Sequence, residues 1–174
     1  MELFAHSNYD SVSMTEIAEA SGVSRRTVFR YFKSKAEIMD AYAERLARHL
    51  IVAFSGRPST EPVAKSLSEA LLSLMDMSPD EKAAARLRNR ALLQARDDAY
   101  SGRSPHLDEE LIALVAHRLK TDPKRDVRPG LIFYTTQAAA RAAAQTWIEL
   151  NDESDFIDHL RPALQYLLKG TRTI

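Results

Sequence analysis

Residues 21–35 read SGVSRRTVFRYFKSK, a stretch with five positive charges, three aromatic side chains and no acid. The whole chain of 174 residues has 24 Lys and Arg against 24 Asp and Glu, so its formal net charge is zero. The cations of this stretch are therefore a local feature and do not reflect an overall basic composition. A local basic surface is the usual footprint of contact with a nucleic acid.

On a helix, which turns about 100° per residue, residues 25–33 separate into two faces. Val28 and Phe32 fall on one face. With Val23, they are expected to pack against Ile17 and Ala18 of the preceding helix. The opposite face holds the cations and one ring: Arg25, Arg26, Phe29, Arg30 and Lys33. An exposed Phe among arginines indicates a surface that a partner covers.

The residues before this helix predict a helix-turn-helix. Ser13 followed by Glu16 forms a capping box, which starts a helix over about 14–20. Gly22 can hold the positive φ of a tight turn into the helix at 25–32.

Double-stranded DNA is the partner that fits such a helix. The major groove admits an α-helix, arginine binds guanine O6 and N7, and an aromatic edge can contact a thymine methyl group. The alternative is a solvated cationic face on which another part of the same chain covers Phe29. The capping box, Ala18 and Gly22 together favour DNA.

The rest of the chain predicts an all-α fold of about nine helices, because no segment alternates with a period of two. The first helix ends in the opening residues, and those at 14–20 and 25–32 follow. The remaining six are expected near 35–54, 63–75, 79–99, 107–120, 131–150 and 153–169. The segment SGRPSTEP, residues 55–62, is the clearest candidate for a linker.

Several classes of protein are disfavoured by what the sequence lacks. There is no Cys, no apolar run of about 20 residues, and no signal peptide at the start, so a cytoplasmic location without membrane contact is expected. The five His are scattered, and neither a zinc motif nor a glycine-rich phosphate loop is present. We expect no enzyme activity, catalytic residue, metal or cofactor.

Residues 9–42, YDSVSMTEIAEASGVSRRTVFRYFKSKAEIMDAY, resemble the DNA-binding domain of the TetR (tetracycline-repressor) family of transcriptional regulators. The resemblance implies a helix-turn-helix DNA-binding domain at 1–50, joined by a long helix to a helical ligand-binding and dimerisation domain at 51–174. Met1 aligns partway along the family's first helix. A truncated first helix and weakened DNA affinity are therefore expected.

The resemblance also assigns DNA-binding residues. Base edges are assigned to Arg25, Arg26 and Phe29, and Arg30 to either a base or a phosphate. Phosphate contacts are implied for Ser13, Thr15, Ser24, Thr27, Tyr31 and Lys35. Phosphate contacts fix the register on DNA, whereas base contacts specify the sequence.

In the helical body, the resemblance implies a small-molecule pocket within about 63–150. The polar and aromatic candidates for its lining are Arg90, Gln94, His117, Tyr134, Gln137, Arg141 and Trp147. Each has a plainer alternative, and for Trp147 it is a place in the core. Helices 131–150 and 153–169 are expected to form a homodimer, or otherwise an internal pair of a monomer.

The expected function is a ligand-responsive repressor that binds a pseudo-palindromic operator as a homodimer and is released by a small-molecule effector. Helix 35–54 is the expected lever between the two activities. The alternative is a small-molecule-binding or protein-interaction module whose DNA binding was lost through N-terminal truncation.

Overall fold

A computed structural model describes residues 12–75, 105–150 and 154–170 of the chain. In these ranges the backbone forms seven α-helices and no strand, in agreement with the predicted all-α fold. They are α1 Met14–Ala20, α2 Arg25–Tyr31, α3 Lys35–Ser55, α4 Val63–Ser73, α5 Pro105–Leu119, α6 Arg128–Leu150 and α7 Phe156–Lys169. The other two predicted helices, in the opening residues and at 79–99, lie outside the described residues.

The described residues belong to two compact units. Residues 12–44 are part of the first, and 45–75, 105–150 and 154–170 are part of the second. Helix α3 contributes residues to both. The predicted domain boundary at residue 50 stays a prediction. None of the helices in the described ranges has the length and apolar character needed to cross a lipid bilayer.

Among its described residues, the first unit has a small apolar cluster and a capped helix start. Val12 and Ile17 are buried, and Met14 and Ile38 pack against them. The predicted capping box is present: the Ser13 hydroxyl accepts from the Glu16 amide at 3.2 Å, and the Glu16 carboxylate accepts from the Ser13 amide at 2.6 Å. Two reciprocal hydrogen bonds thus satisfy amides that the start of α1 leaves without intrahelical partners.

The turn between α1 and α2 follows from Gly22, whose φ of +65° lies in the left-handed region, as predicted. The Gly22 amide donates to Glu19 O and the Val23 amide to Ala18 O, both at 3.0 Å. Val23, which was expected to pack with Val28 and Phe32 against Ile17 and Ala18, is instead 41 % exposed. The Val23 amide closes the turn.

Two apolar clusters lie among the described residues of the second unit. Phe54 of α3, Leu67 and Ala70 of α4, Val115 of α5 and Phe133 of α6 lie in the first. The second joins α4, α6 and α7 through the buried residues Leu72, Ala143, Ala144, Trp147, Phe156, Leu160 and Leu164. Burial of these apolar surfaces is the main force that holds helices together.

Hydrogen bonds join residues 56–62 to the rest of the second unit, although the sequence predicts a linker there. Arg57 donates to Glu61 through Nε at 2.9 Å and Nη2 at 2.7 Å, and the buried Ser66 hydroxyl donates to the same carboxylate at 2.7 Å. From α5, the Arg118 guanidinium donates to Pro58 O at 2.5 Å and lies 5.0 Å from the centre of the Phe54 ring. The segment is therefore an ordered turn.

Candidate nucleic-acid interface

Helix α2 is capped by Ser24, whose hydroxyl accepts from the Thr27 amide at 3.1 Å and lies 2.8 Å from the Thr27 hydroxyl. An extended N-cap residue with a side-chain acceptor is the usual way to start a helix. The cap fixes where the helical turn begins, and hence which face of α2 each later side chain occupies.

Val28 is the one buried side chain of α2. Phe32, just after the helix, is partly buried, while Arg25, Arg26 and Arg30 are exposed. Phe29 is 40 % exposed. The two predicted faces therefore exist, with an apolar side held by Val28 and an open side that carries the cations and one ring.

Two arginines of this open side stack on aromatic rings. The Arg25 guanidinium lies 5.3 Å from the centre of the Phe29 ring. The Arg30 guanidinium lies 4.8 Å from the centre of the Tyr31 ring and donates from Nη2 to the Tyr31 hydroxyl at 3.0 Å. Within the described ranges, neither arginine forms an ion pair with a carboxylate, so their charges are not neutralised locally. Cation–π contacts of this kind orient a guanidinium without removing its charge.

Of the residues assigned to phosphates, Tyr31 is the last residue of α2, and the others lie near the starts of three helices. Ser13 caps α1 and Thr15 lies in its first turn, Ser24 caps α2, and Lys35 is the first residue of α3. The start of α3 is organised by Ser34, whose hydroxyl accepts from the Glu37 amide at 3.2 Å, and by Glu37, which accepts from the Lys33 amide at 2.7 Å.

The charge of Lys35 also affects the pKa of Glu16 at the start of α1. The Ser13 amide, and then the Ser13 hydroxyl, lower the pKa of Glu16, and the nearby positive charge of Lys35 lowers it further. The Glu16 carboxylate is therefore kept ionised by its cap partner. Contact of these polar residues with DNA stays a prediction.

Sequence reasoning missed the two stacked pairs and the cap formed by Ser34 and Glu37. The spacing of four between Arg25 and Phe29 is the signal that could have revealed the first pair, because such residues are neighbours on a helix surface. Arg30 and Tyr31 are adjacent in sequence, so helical spacing gave no sign of their contact.

The candidate pocket residues lie in different environments. Arg90 and Gln94 are outside the described residues. Tyr134, Gln137 and Arg141 are exposed and share one face of α6, while His117 is exposed on α5. Their part in a pocket stays a prediction.

Trp147 is 2 % exposed, and its indole N–H donates to Ser154 O at 2.8 Å. Its ring centre lies 5.2 Å from that of Phe156. The structure places this residue in the core of the second unit, which was the alternative for it. In the described ranges, no three His, Asp or Glu side chains gather as metal ligands would.

Comparison with known proteins identifies the family. The family model described as bacterial regulatory proteins, tetR family, matches residues 1–42, and the model described as the MftR C-terminal domain matches residues 61–172. MftR of Mycobacterium tuberculosis (strain ATCC 25618 / H37Rv), named as a candidate mycofactocin biosynthesis transcriptional regulator, is 32 % identical over 156 residues. That match covers 88 % of this chain and 77 % of MftR.

The HTH-type transcriptional regulator TcmR of Streptomyces glaucescens is 26 % identical over 182 residues, which cover 94 % of this chain and 80 % of TcmR. The fold is similar to a crystal structure of Thermus thermophilus FadR, a TetR family transcriptional repressor, in complex with lauroyl-CoA. The TM-score is 0.56 at 24 % identity, over 98 % of this chain and 90 % of that one. With a capped helix-turn-helix at one end and an MftR-type helical body, the chain belongs to the TetR family of DNA-binding transcriptional regulators and is not an enzyme.

Proposed function

We propose that the protein is a homodimeric, ligand-responsive repressor that binds a pseudo-palindromic operator and is released by a small-molecule effector. The main support comes from the two faces of α2: Val28 is buried on one face, and the arginines and Phe29 are exposed on the other. Regulation of transcription takes place where the chromosome lies, and the proposal therefore places the protein in the cytoplasm.

On DNA, α2 enters the major groove. Arg25, Arg26 and Phe29 meet base edges there, because they are exposed on one side of a helix whose other side is held by Val28. Phosphates are bound by polar residues near the helix starts and by Tyr31 at the end of α2. The residues are Ser13, Thr15, Ser24, Thr27, Tyr31 and Lys35. These contacts fix the register of α2 in the groove.

The dimer forms through α6 and α7. Helix α6 exposes Leu131 and Tyr134, and helix α7 exposes Tyr166 and Leu168. Large apolar side chains at a surface favour contact with another protein surface. Two copies are also needed because one helix-turn-helix covers a single half-site, and paired half-sites lie about 34–36 Å apart.

The effector binds in the helical body and prefers a conformation in which the two α2 helices of the dimer no longer match the half-sites. FadR, which shares the fold, is in complex with lauroyl-CoA in its crystal structure, and this supports a small-molecule effector for the chain. A ligand must favour the released state by about 5.5 kcal/mol to take the DNA-competent fraction from 99 % to 1 %. Helix α3, which has residues in both units, is the expected lever.

The proposal is tested first by selection of bound sequences from a random double-stranded DNA library. Fluorescence anisotropy on the selected site then compares the wild type with Arg25→Ala and with Arg125→Ala, which removes the same charge from a side chain 89 % exposed outside the first unit. We expect an inverted repeat, loss of preference in Arg25→Ala and wild-type behaviour in Arg125→Ala. The slope of log affinity against log salt should be about −0.9 for each phosphate contacted.

The other parts of the proposal have separate measurements. Sedimentation at micromolar concentration should give a dimer, and lauroyl-CoA is the first probe for release from the selected site. A monomer at that concentration would contradict the dimer. Failure to bind DNA at low salt, together with binding of an apolar ligand, would instead support the alternative of a binding module without DNA activity.

A further inference from the structure

Arg25 and Phe29 form a pair on the open side of α2. They lie four residues apart, which makes them neighbours on the helix surface, and the Arg25 guanidinium stands over the Phe29 ring at 5.3 Å from its centre. Both side chains are exposed, and Phe29 keeps 40 % of its surface in solvent. A ligand that reaches one of them therefore meets the other as well.

The pair leaves the hydrogen-bonding groups of Arg25 available. A cation–π contact engages the charge of the guanidinium and uses no hydrogen-bond acceptor. In the part of the chain that the structure describes, no hydrogen bond or ion pair engages the N–H groups of Arg25. Arg30 differs, because its Nη2 already donates to the Tyr31 hydroxyl at 3.0 Å. Of these two stacked arginines, Arg25 is thus the one prepared for bidentate binding of an acceptor pair such as guanine O6 and N7.

The separation within the pair, 5.3 Å, is larger than one step along a DNA duplex and smaller than two. Successive bases on a strand are about 3.4 Å apart along the axis. When the Arg25 guanidinium binds one base pair, a ring centre 5.3 Å from it is within reach of the neighbouring base pair. The apolar edge of Phe29 then faces a position where a thymine presents its methyl group.

We infer that Arg25 and Phe29 act as one reading unit for two adjacent base pairs, with guanine bound by Arg25 and thymine contacted by Phe29. This rests on the proposed function, since it names the bases that the DNA-binding surface selects. The operator half-site should contain adjacent G·C and T·A pairs. The preference at one position should depend on the side chain that reads the other, since a coupling between two sites acts equally in both directions.

The test compares four proteins on the selected operator and on versions with each base at the two positions. Phe29→Leu keeps an apolar group for the methyl but removes the aromatic face, and Phe29→Tyr keeps the ring. Arg25→Lys keeps the charge and removes the planar guanidinium. Circular dichroism and thermal unfolding check that the variants fold, which the exposure of both side chains leads us to expect.

Phe29→Leu should lower the preference for guanine by about 2- to 5-fold, the value of an exposed cation–π contact, while the preference for thymine is retained. Phe29→Tyr should retain both preferences. Arg25→Lys should lower the guanine preference by about 5- to 150-fold, the value of a bidentate contact, and should also weaken the thymine preference.

An unchanged guanine preference in Phe29→Leu, or an unchanged thymine preference in Arg25→Lys, would overturn the paired unit while DNA binding itself stands. A selected half-site without adjacent G·C and T·A pairs would also overturn it. If the wild type enriches no sequence at all, the proposed function fails, and that outcome is distinct from the others.

Discussion

Two sets of arginines in this chain have opposite surroundings. Those of α2, at 25, 26 and 30, are exposed, and two of them contact aromatic rings. In the second unit, Arg57 and Arg128 are bound to the carboxylates of Glu61 and Asp126, and Arg118 is bound to backbone carbonyls. The arginines of α2 are thus solvent-exposed, whereas in the second unit Arg57, Arg118 and Arg128 are held by hydrogen bonds.

The difference shows why the overall charge is a poor guide to function here. In the second unit, carboxylates neutralise the charges of Arg57 and Arg128 where they lie. The Arg57 guanidinium, by its hydrogen bonds, lowers the pKa of Glu61 to about 2, and Arg128 holds the pKa of Asp126 well below its usual range. The charges of α2 have no such acid among the described residues. A chain of zero net charge can therefore carry a strongly positive surface.

The largest change in the free energy of unfolding is expected when the hydrogen bonds of Arg118 are removed. Arg118→Ala removes hydrogen bonds to Pro58 O and Glu61 O and the contact with the Phe54 ring. The free energy of unfolding should fall by about 2–4 kcal/mol, as measured by urea titration. Arg125→Ala, where the side chain is 89 % exposed, is the matched control and should change it by less than about 0.5 kcal/mol. Equal effects would show that the contacts of Arg118 contribute no more to stability than an exposed arginine does.

Arg25→Ala should leave the free energy of unfolding unchanged. It should instead cost about 1–3 kcal/mol of discrimination at one base pair of the operator. Affinities for operator variants, measured by anisotropy, give this value. Lys35→Ala should instead weaken binding to all sequences alike, because a phosphate contact carries no sequence information. Loss of discrimination from both variants would contradict the division between base and phosphate contacts.

The turn before α2 positions the arginines at 25, 26 and 30, and it can be tested through Gly22. Gly22→Ala forces an L-residue to a φ of +65°, which should cost about 1–2 kcal/mol, although no atom lies within 4 Å of the added methyl group. Hydrogen exchange of the α1 and α2 amides, together with thermal unfolding, would measure this loss. Gly56→Ala is the control: its added carbon would lie 3.6 Å from Val52 O, an ordinary contact, so stability should change by less than about 1 kcal/mol.

The smallest expected effect is a dependence of stability on acid pH through Glu61, the partner of Arg57. Hydrogen bonds from Arg57 and then from Ser66 lower the pKa of Glu61 from 4.5 to about 2, so this carboxylate stabilises the fold above pH 4.5. The contribution is lost as the pH falls from 4.5 towards 2. Glu61→Gln should be less stable than the wild type at pH 7, and the difference should shrink at pH 3 in urea titrations. A difference that stays constant with pH would mean that the ionised carboxylate is not the source of the stability.

Local signals predicted the first unit well. The capping box of Ser13 and Glu16, the left-handed Gly22 and the outward position of Phe29 all depend on residues within a few positions of each other, which helical periodicity and capping rules can use. Helical spacing alone gave the wrong environment for Val23. Its spacing fits the apolar face, but the turn of the backbone decides where its side chain lies.

The second unit contains features that no local pattern reveals. Arg118 contacts the turn at Pro58 and Glu61 from 57 to 60 positions away along the chain, so a segment that reads as a linker is an ordered turn. Trp147 is buried because Phe156 and Ser154, from the start of α7, cover it. Contacts of this kind depend on how helices pack, and composition or spacing carries little information about them.

The ordered turn between α3 and α4 also bears on how the protein should be handled in the laboratory. A glycine- and proline-containing surface connection is the usual choice for inserting a reporter peptide or for expecting protease cleavage. Here the carbonyls of Pro58 and Glu61 are held by Arg118, and a protease must pull the segment out of those bonds before cutting it. An epitope or fluorophore loop placed between these residues would displace the Arg118 guanidinium and disturb α5 along with the insertion point.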